Sequence, residues 1–195
     1  SAKPFHPGAD EILSNMETDG RKVIEWMLGD QSKPVAFFKN MSHHLIKLDW
    51  QFMQAGANII LTRSPEEMLL SFSKVIVQPS MEDIGYAMQI ELLDYFKTIK
   101  LPFVVLDAKK VLQDPEGQLR KLSTVVGIPF MQEMLKWKQG PILEDGIWAK
   151  YWYRNVHLST GFQPYQKKKD EFPNHLVPLL KECQPIYENL VKHAL

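Results

Sequence analysis

Apolar positions along the chain fall into two kinds of stretch that alternate. Three short runs, residues 34–39 (PVAFFK), 58–62 (NIILT) and 102–106 (PFVVL), are almost continuously apolar. Runs of that length and density suit strands buried on both faces of a parallel sheet. Between them the apolar residues recur at helical spacing. Residues 11–28 read as helix broken at Gly20, and residues 64–77 as a helix with Ser64 as N-cap, Pro65 in its first turn and Glu67 completing a capping box. Residues 81–99 follow Ser80 and Asp83 in the same idiom and place Ile84, Met88, Leu92, Phe96 and Ile99 along one face. Asp114 and Pro115 open a helix that Gly127 closes. Leu176, Leu179, Leu180, Cys183, Ile186, Tyr187, Leu190 and Val191 line a final helix over 174–195, which Pro185 kinks. Strands alternating with helices predict an α/β fold, a parallel sheet flanked by helices, in a single domain spanning 1–195 with its core over 34–130.

Residues 140–169 break this rhythm. They are rich in aromatic and charged side chains, have no period, and read as an irregular excursion.

Composition narrows the class. The 195 residues are 45% hydrophobic and carry 23 basic and 23 acidic side chains, so the formal net charge is zero. No global field draws in nucleic acid, and any anion site has to be local. One cysteine, Cys183, leaves no internal disulfide framework and suits a reducing, cytoplasmic setting. No apolar run approaches the roughly 18 residues of a membrane span, and the first residues do not read as a signal peptide.

The local anion site is predicted at the end of the second apolar run. Arg63 follows that strand directly, at the carboxyl edge where open parallel sheets bind ligands. Ser64 and Pro65 then start a helix whose free N–H groups and dipole favour an anion. Ser71 lies two turns along that helix, ~10 Å up the axis, a gap that a guanidinium can span. Arg63 and Ser71 are therefore candidates to meet on one phosphate, the first as a charged fork and the second as a hydroxyl donor. On spacing alone, a solvated strand-end arginine and an incidental helix serine are the favoured reading, because lone strand–turn–helix junctions are common in α/β proteins.

The stretch Thr62-Arg63-Ser64-Pro65 followed by Ser71-Phe72 resembles the 3′-phosphate motif of the sulfotransferase family, which is built on a P-loop NTPase-like fold. Leu106-Asp107-Ala108, Asp114-Pro115-Glu116, Leu119, Leu122 and Gly127-Ile128-Pro129-Phe130 are similar to that family's late strand, turn and following helix. Phe38-Lys39-Asn40-Met41-Ser42-His43-His44 resembles the strand-end region that bears its catalytic base. The segment Asp145–Phe162, with its Ser159-Thr160-Gly161-Phe162, is similar to small bacterial or plant-type members. The resemblance implies transfer of a sulfuryl group from 3′-phosphoadenosine 5′-phosphosulfate (PAPS) to a hydroxyl of a small-molecule acceptor, without a metal. It assigns the 3′-phosphate to Arg63 and Ser71, the acceptor proton to His43 or His44, and the sulfuryl oxygens to Lys39.

One departure stands out. The family's first strand and its glycine-rich phosphate loop with a lysine have no counterpart ahead of residue 34, and Lys3 sits in no such loop. The N-terminal βα unit is accordingly expected to be missing from this chain. That gap supports a second reading, a non-catalytic nucleotide-binding or protein-interaction domain on the same fold; a third, a small P-loop kinase, lacks both a Walker-type loop and a Mg²⁺-holding carboxylate near Arg63. In the irregular segment, Lys150, Arg154 and His157 could close over a nucleotide, and Trp148, Trp152, Tyr153 and Phe162 could stack on adenine or line an acceptor site. Packing and solvation are the ordinary roles for these residues, as solvation is for Lys167–Lys169.

Overall fold

The structure, a computed structural model, describes residues 8–167 and 170–195, with the side chain of His43 excepted. The elements run in the order α1 (Ala9–Asn15), α2 (Gly20–Leu28), β1 (Asn58–Thr62), α3 (Pro65–Phe72), α4 (Met81–Ile84) and α5 (Tyr86–Thr98). They continue with β2 (Phe103–Asp107), α6 (Ala108–Gln113), α7 (Pro115–Val126), α8 (Ala149–Trp152), α9 (Arg154–His157) and α10 (Val177–Val191). Short 3₁₀ turns lie at Ser42–His44 and Trp50–Ala55. The chain divides into two compact units, one of Ser1–Phe38 with Met131–Gln163 and the other of Lys39–Phe130 with Pro164–Leu195.

The second unit holds the sheet. β1 and β2 pair in parallel, with Asn58 opposite Phe103 and Thr62 opposite Asp107. On its other side β2 meets Ala194 in a parallel bridge at Val105, and the Leu195 amide donates to the Val105 carbonyl at 3.2 Å. With neighbours on both sides, β2 is buried from Val104 to Asp107, as its apolar run predicts. β1 has β2 as its strand partner among the described residues, and its Leu61 is 58% exposed. The expectation of burial on both faces therefore fails at Leu61. A side-chain amide covers part of that edge: Gln89 Nε2 donates to the Leu61 carbonyl at 3.3 Å.

α10 packs against α3, α5 and both strands, and α6 against β2. The core beneath is Ile60, Leu92, Leu93, Phe96, Val105, Cys183 and Leu190, with Tyr86 at its upper margin. Local signals set most helix starts. Ser80 and Asp83 form a full capping box on α4, Asp114 caps α7 by accepting from the Gly117 amide at 3.0 Å, and Gly127 ends α7 at a φ of 75°.

Three sequence expectations need correction. Residues 34–39 form no strand; Phe37 is 79% and Val35 53% exposed, and Phe38 packs edge-on against Trp26. An apolar run becomes a strand only where another strand offers its hydrogen-bonding edge, and none pairs with this one. The helix expected over 81–99 is two, because Gly85 turns left-handed at a φ of 72° and separates α4 from α5. Finally, Ser64 stands at the N-cap of α3, but its hydroxyl makes no capping bond, while Glu67 is engaged elsewhere.

In the other unit α1 and α2 are separate helices, the second capped by Asp19 accepting from the Arg21 amide. Most of the irregular excursion lies here and is tied by side chains. Glu11 accepts from Lys150 Nζ and from the Tyr151 hydroxyl, at 2.7 and 2.9 Å. Asp145 accepts from the Ile142 amide at 3.0 Å and pairs with His157 Nε2 at 2.8 Å. Phe162 packs edge-on against Trp137, the ordinary role for an aromatic of this segment. Lys3, Lys168 and Lys169 lie outside the described residues.

Candidate anion-binding site

Two residues mark the carboxyl ends of the paired strands, Arg63 just past β1 and Asp107 as the last residue of β2. β1 ends at Thr62, so Arg63 leaves the sheet just before Pro65 begins α3. β2 ends at Asp107, which caps α6 by accepting from the Lys109 amide at 2.7 Å. This edge is the site the sequence indicates, and the structure fills in what surrounds it.

Arg63 is half-exposed, and its backbone carbonyl is fixed by the Tyr86 hydroxyl, which donates to it at 2.5 Å. Its Nε faces Glu67 Oε2 at 3.5 Å, one helical turn along. Glu67 is only 7% exposed and also accepts from the Tyr165 hydroxyl at 2.5 Å. Tyr165 comes from 98 residues further along the chain, and Lys109 Nζ lies 5.2 Å from its ring centre. Asp107, 6% exposed, accepts at its other oxygen from the Tyr187 hydroxyl at 2.8 Å. Thr62 Oγ1 is buried at the same edge with no hydrogen-bond partner.

Among the described residues the edge thus carries one guanidinium, the Lys109 ammonium, two buried carboxylates and three phenols. The phenols respond as expected. Burial, with the negative groups nearby, pushes the Tyr86 hydroxyl far above the usual phenol range. Tyr187 is raised by burial and then by its bond to Asp107, and Tyr165 chiefly by its bond to Glu67. All three stay protonated and act as donors at neutral pH.

The predicted residues fall out as follows. Arg63 stands where the sequence places it. Ser71 is exposed on the last turn of α3, one turn beyond Glu67. Lys39 is exposed and outside any strand or helix, and His44 is exposed at the end of the Ser42–His44 turn; neither is without an interaction. Ser42 Oγ ties that turn to the Gly85 carbonyl at 3.2 Å. The His43 side chain lies outside the described set. Glu67, Tyr165, Asp107 and Tyr187, which the fold brings to this edge, are not among the candidates the sequence singles out. Glu67 leaves a trace in its i+4 spacing from Arg63, which is also the spacing of an ordinary surface ion pair, and Asp107 in the Leu106-Asp107-Ala108 match.

The small parallel sheet flanked by helices makes this an α/β domain, and an arginine at its carboxyl edge, followed at once by a helix start, is an arrangement suited to an anion. Comparison with known proteins takes the assignment one step further. The family model described as "Sulfotransferase domain" matches residues 3–194, and the chain belongs to that family. It is also similar to two proteins of Arabidopsis thaliana, branched-chain-amino-acid aminotransferase-like proteins 2 and 1, each 39% identical over 96% of this chain. The chain spans about a third (34%) of the length of each. No solved structure matches it. Among the described residues no helix is long and apolar enough to cross a membrane.

Proposed function

We propose that this chain is a PAPS-dependent sulfotransferase domain, its two units forming one domain of P-loop NTPase-like ancestry that acts in the cytoplasm on a small hydroxyl-bearing acceptor. The observation that carries the reading is Arg63 at the carboxyl end of β1, immediately before the start of α3, in a chain whose family match runs from residue 3 to residue 194. The edge suits a phosphate: a half-exposed guanidinium, a helix start and an exposed Ser71 hydroxyl supply donors of the right kind. Arg63 and Ser71 would hold the 3′-phosphate. His43 or His44 would accept the acceptor's proton as its oxygen attacks sulfur and the bond from sulfur to the phosphate oxygen breaks. Lys39 would face the sulfuryl oxygens.

Titration calorimetry with adenosine 3′,5′-bisphosphate tests this directly. Replacing Arg63 by Ala removes a charged, forked donor and should weaken binding about 10- to 100-fold. Equal affinity of wild type and R63A removes the site from Arg63. A sulfuryl-transfer assay on the same preparation then decides activity.

A second reading is a nucleotide-binding or interaction domain without catalysis. Its support is that the similar plant proteins are named for a different reaction and are about three times as long as the matching region. Bisphosphate binding without transfer to any of a panel of hydroxyl acceptors favours it.

A further inference from the structure

The proposed phosphate residue already has an anion. Arg63 faces Glu67 at 3.5 Å, and that carboxylate is buried and fixed by the Tyr165 hydroxyl at 2.5 Å. We propose that Glu67 is an affinity-setting residue: it occupies Arg63 in the free chain, yields it to the incoming phosphate, and is held on Tyr165 while the ligand is bound. This deepens the function proposed above and rests on it.

The charge inventory of the sheet edge motivates the assignment. Of the two buried carboxylates, Asp107 is satisfied by the Lys109 amide and the Tyr187 hydroxyl and stands apart from Arg63's contacts. Glu67 is the one facing the guanidinium. A contact of 3.5 Å through Nε is an ion pair without a short hydrogen bond, so a phosphate that takes the fork at hydrogen-bond distance can displace it. The displaced carboxylate loses one positively charged neighbour, and each donor that stays on a buried charge then counts for more. Tyr165 supplies a donor from a different part of the chain, and Lys109 against its ring helps fix the phenol in place. A carboxylate left beside a bound phosphate repels it, so the same residue that orders Arg63 also hastens release of a bisphosphate product.

This gives Glu67 and Tyr165 opposite and coupled effects. Glu67→Gln keeps an acceptor for the Tyr165 hydroxyl but removes the charge, and should tighten bisphosphate binding about 3- to 10-fold. Tyr165→Phe removes one donor from a carboxylate that needs its donors more once Arg63 has left, and should weaken binding by a similar factor. In the double variant the phenol has no charge to hold, so its affinity should match that of E67Q alone. A merely structural Tyr165 would give the same loss in both backgrounds.

The experiment is calorimetry of the full chain and these three variants with adenosine 3′,5′-bisphosphate, alongside R63A. Tighter binding by E67Q and loss of the Y165F penalty in the double variant support the proposal. Unchanged or weaker binding by E67Q, with R63A still impaired, overturns it while leaving the nucleotide site standing. If E67Q does not fold, Y165F decides alone: undiminished affinity there overturns the proposal. Absence of bisphosphate binding in wild type and every variant defeats the nucleotide reading and this inference together.

Discussion

Replacing Tyr187 by Phe isolates one interaction at the sheet edge. The ring stays in place to pack against the core, so little apolar burial is lost, and only the hydroxyl is removed. That hydroxyl donates at 2.8 Å to Asp107 Oδ2, on a carboxylate 6% exposed whose other oxygen accepts from the Lys109 amide. A hydrogen bond to a charged group contributes about 1.5–3 kcal/mol, and here its loss leaves a buried oxygen short of a donor. The expected cost is about 2 kcal/mol, or about 4–8 °C in Tm for a chain of this length. Urea denaturation gives the free energy, and amide exchange of β2 reports the strand that carries Asp107. The reasoning is sharpened in the Asp107→Asn background. There the charge is gone, and the same Tyr187→Phe change should cost only about 1 kcal/mol. Equal costs in the two backgrounds, or no cost in the wild type, would refute the claim that the phenol acts through the carboxylate.

Two further outcomes follow from the same geometry. Tyr86, Tyr165 and Tyr187 all keep their protons above the ordinary phenol value, whereas the unfolded chain releases them near about pH 10. The folded state then binds more protons than the unfolded one, so stability is intact below about pH 10 and falls as pH rises beyond it. The urea midpoint measured between about pH 8 and about pH 11 should show this decline, and Tyr187→Phe should make it shallower; a flat midpoint contradicts the assignment. Leu93 is fully buried among Phe96, Val105 and Cys183, and Leu93→Ala should cost about 2–5 kcal/mol in urea denaturation, a loss below 1 kcal/mol being incompatible with a packed core there.

The sequence by itself determined the features whose causes are local. A hydroxyl or carboxylate capping a helix start acts within three residues, so Ser80 with Asp83 and Asp114 with Pro115 could be read directly, as could Gly127 at the end of α7. The runs at 58–62 and 102–106 gave their strands to within a residue, because each is short, apolar and β-rich. Arg63 was legible as the residue after a strand and before a helix, and the family resemblance drawn from it agrees with the family match.

Tertiary structure decided everything that depends on a distant partner. Residues 34–39 are as apolar as β1, yet without a neighbouring strand to complete their hydrogen bonds they stay outside the sheet. Glu67 has the right spacing for a capping box, but burial beside Arg63 and a phenol from Tyr165 engages its charge more strongly than a helix cap requires. Tyr187 reaches Asp107 across 80 residues, and neither spacing nor composition marks that pair. Helix caps depend on the next few residues; the electrostatics of a sheet edge depend on whatever the fold brings beside it, and there the chain supplies Arg63 with a carboxylate before any ligand arrives.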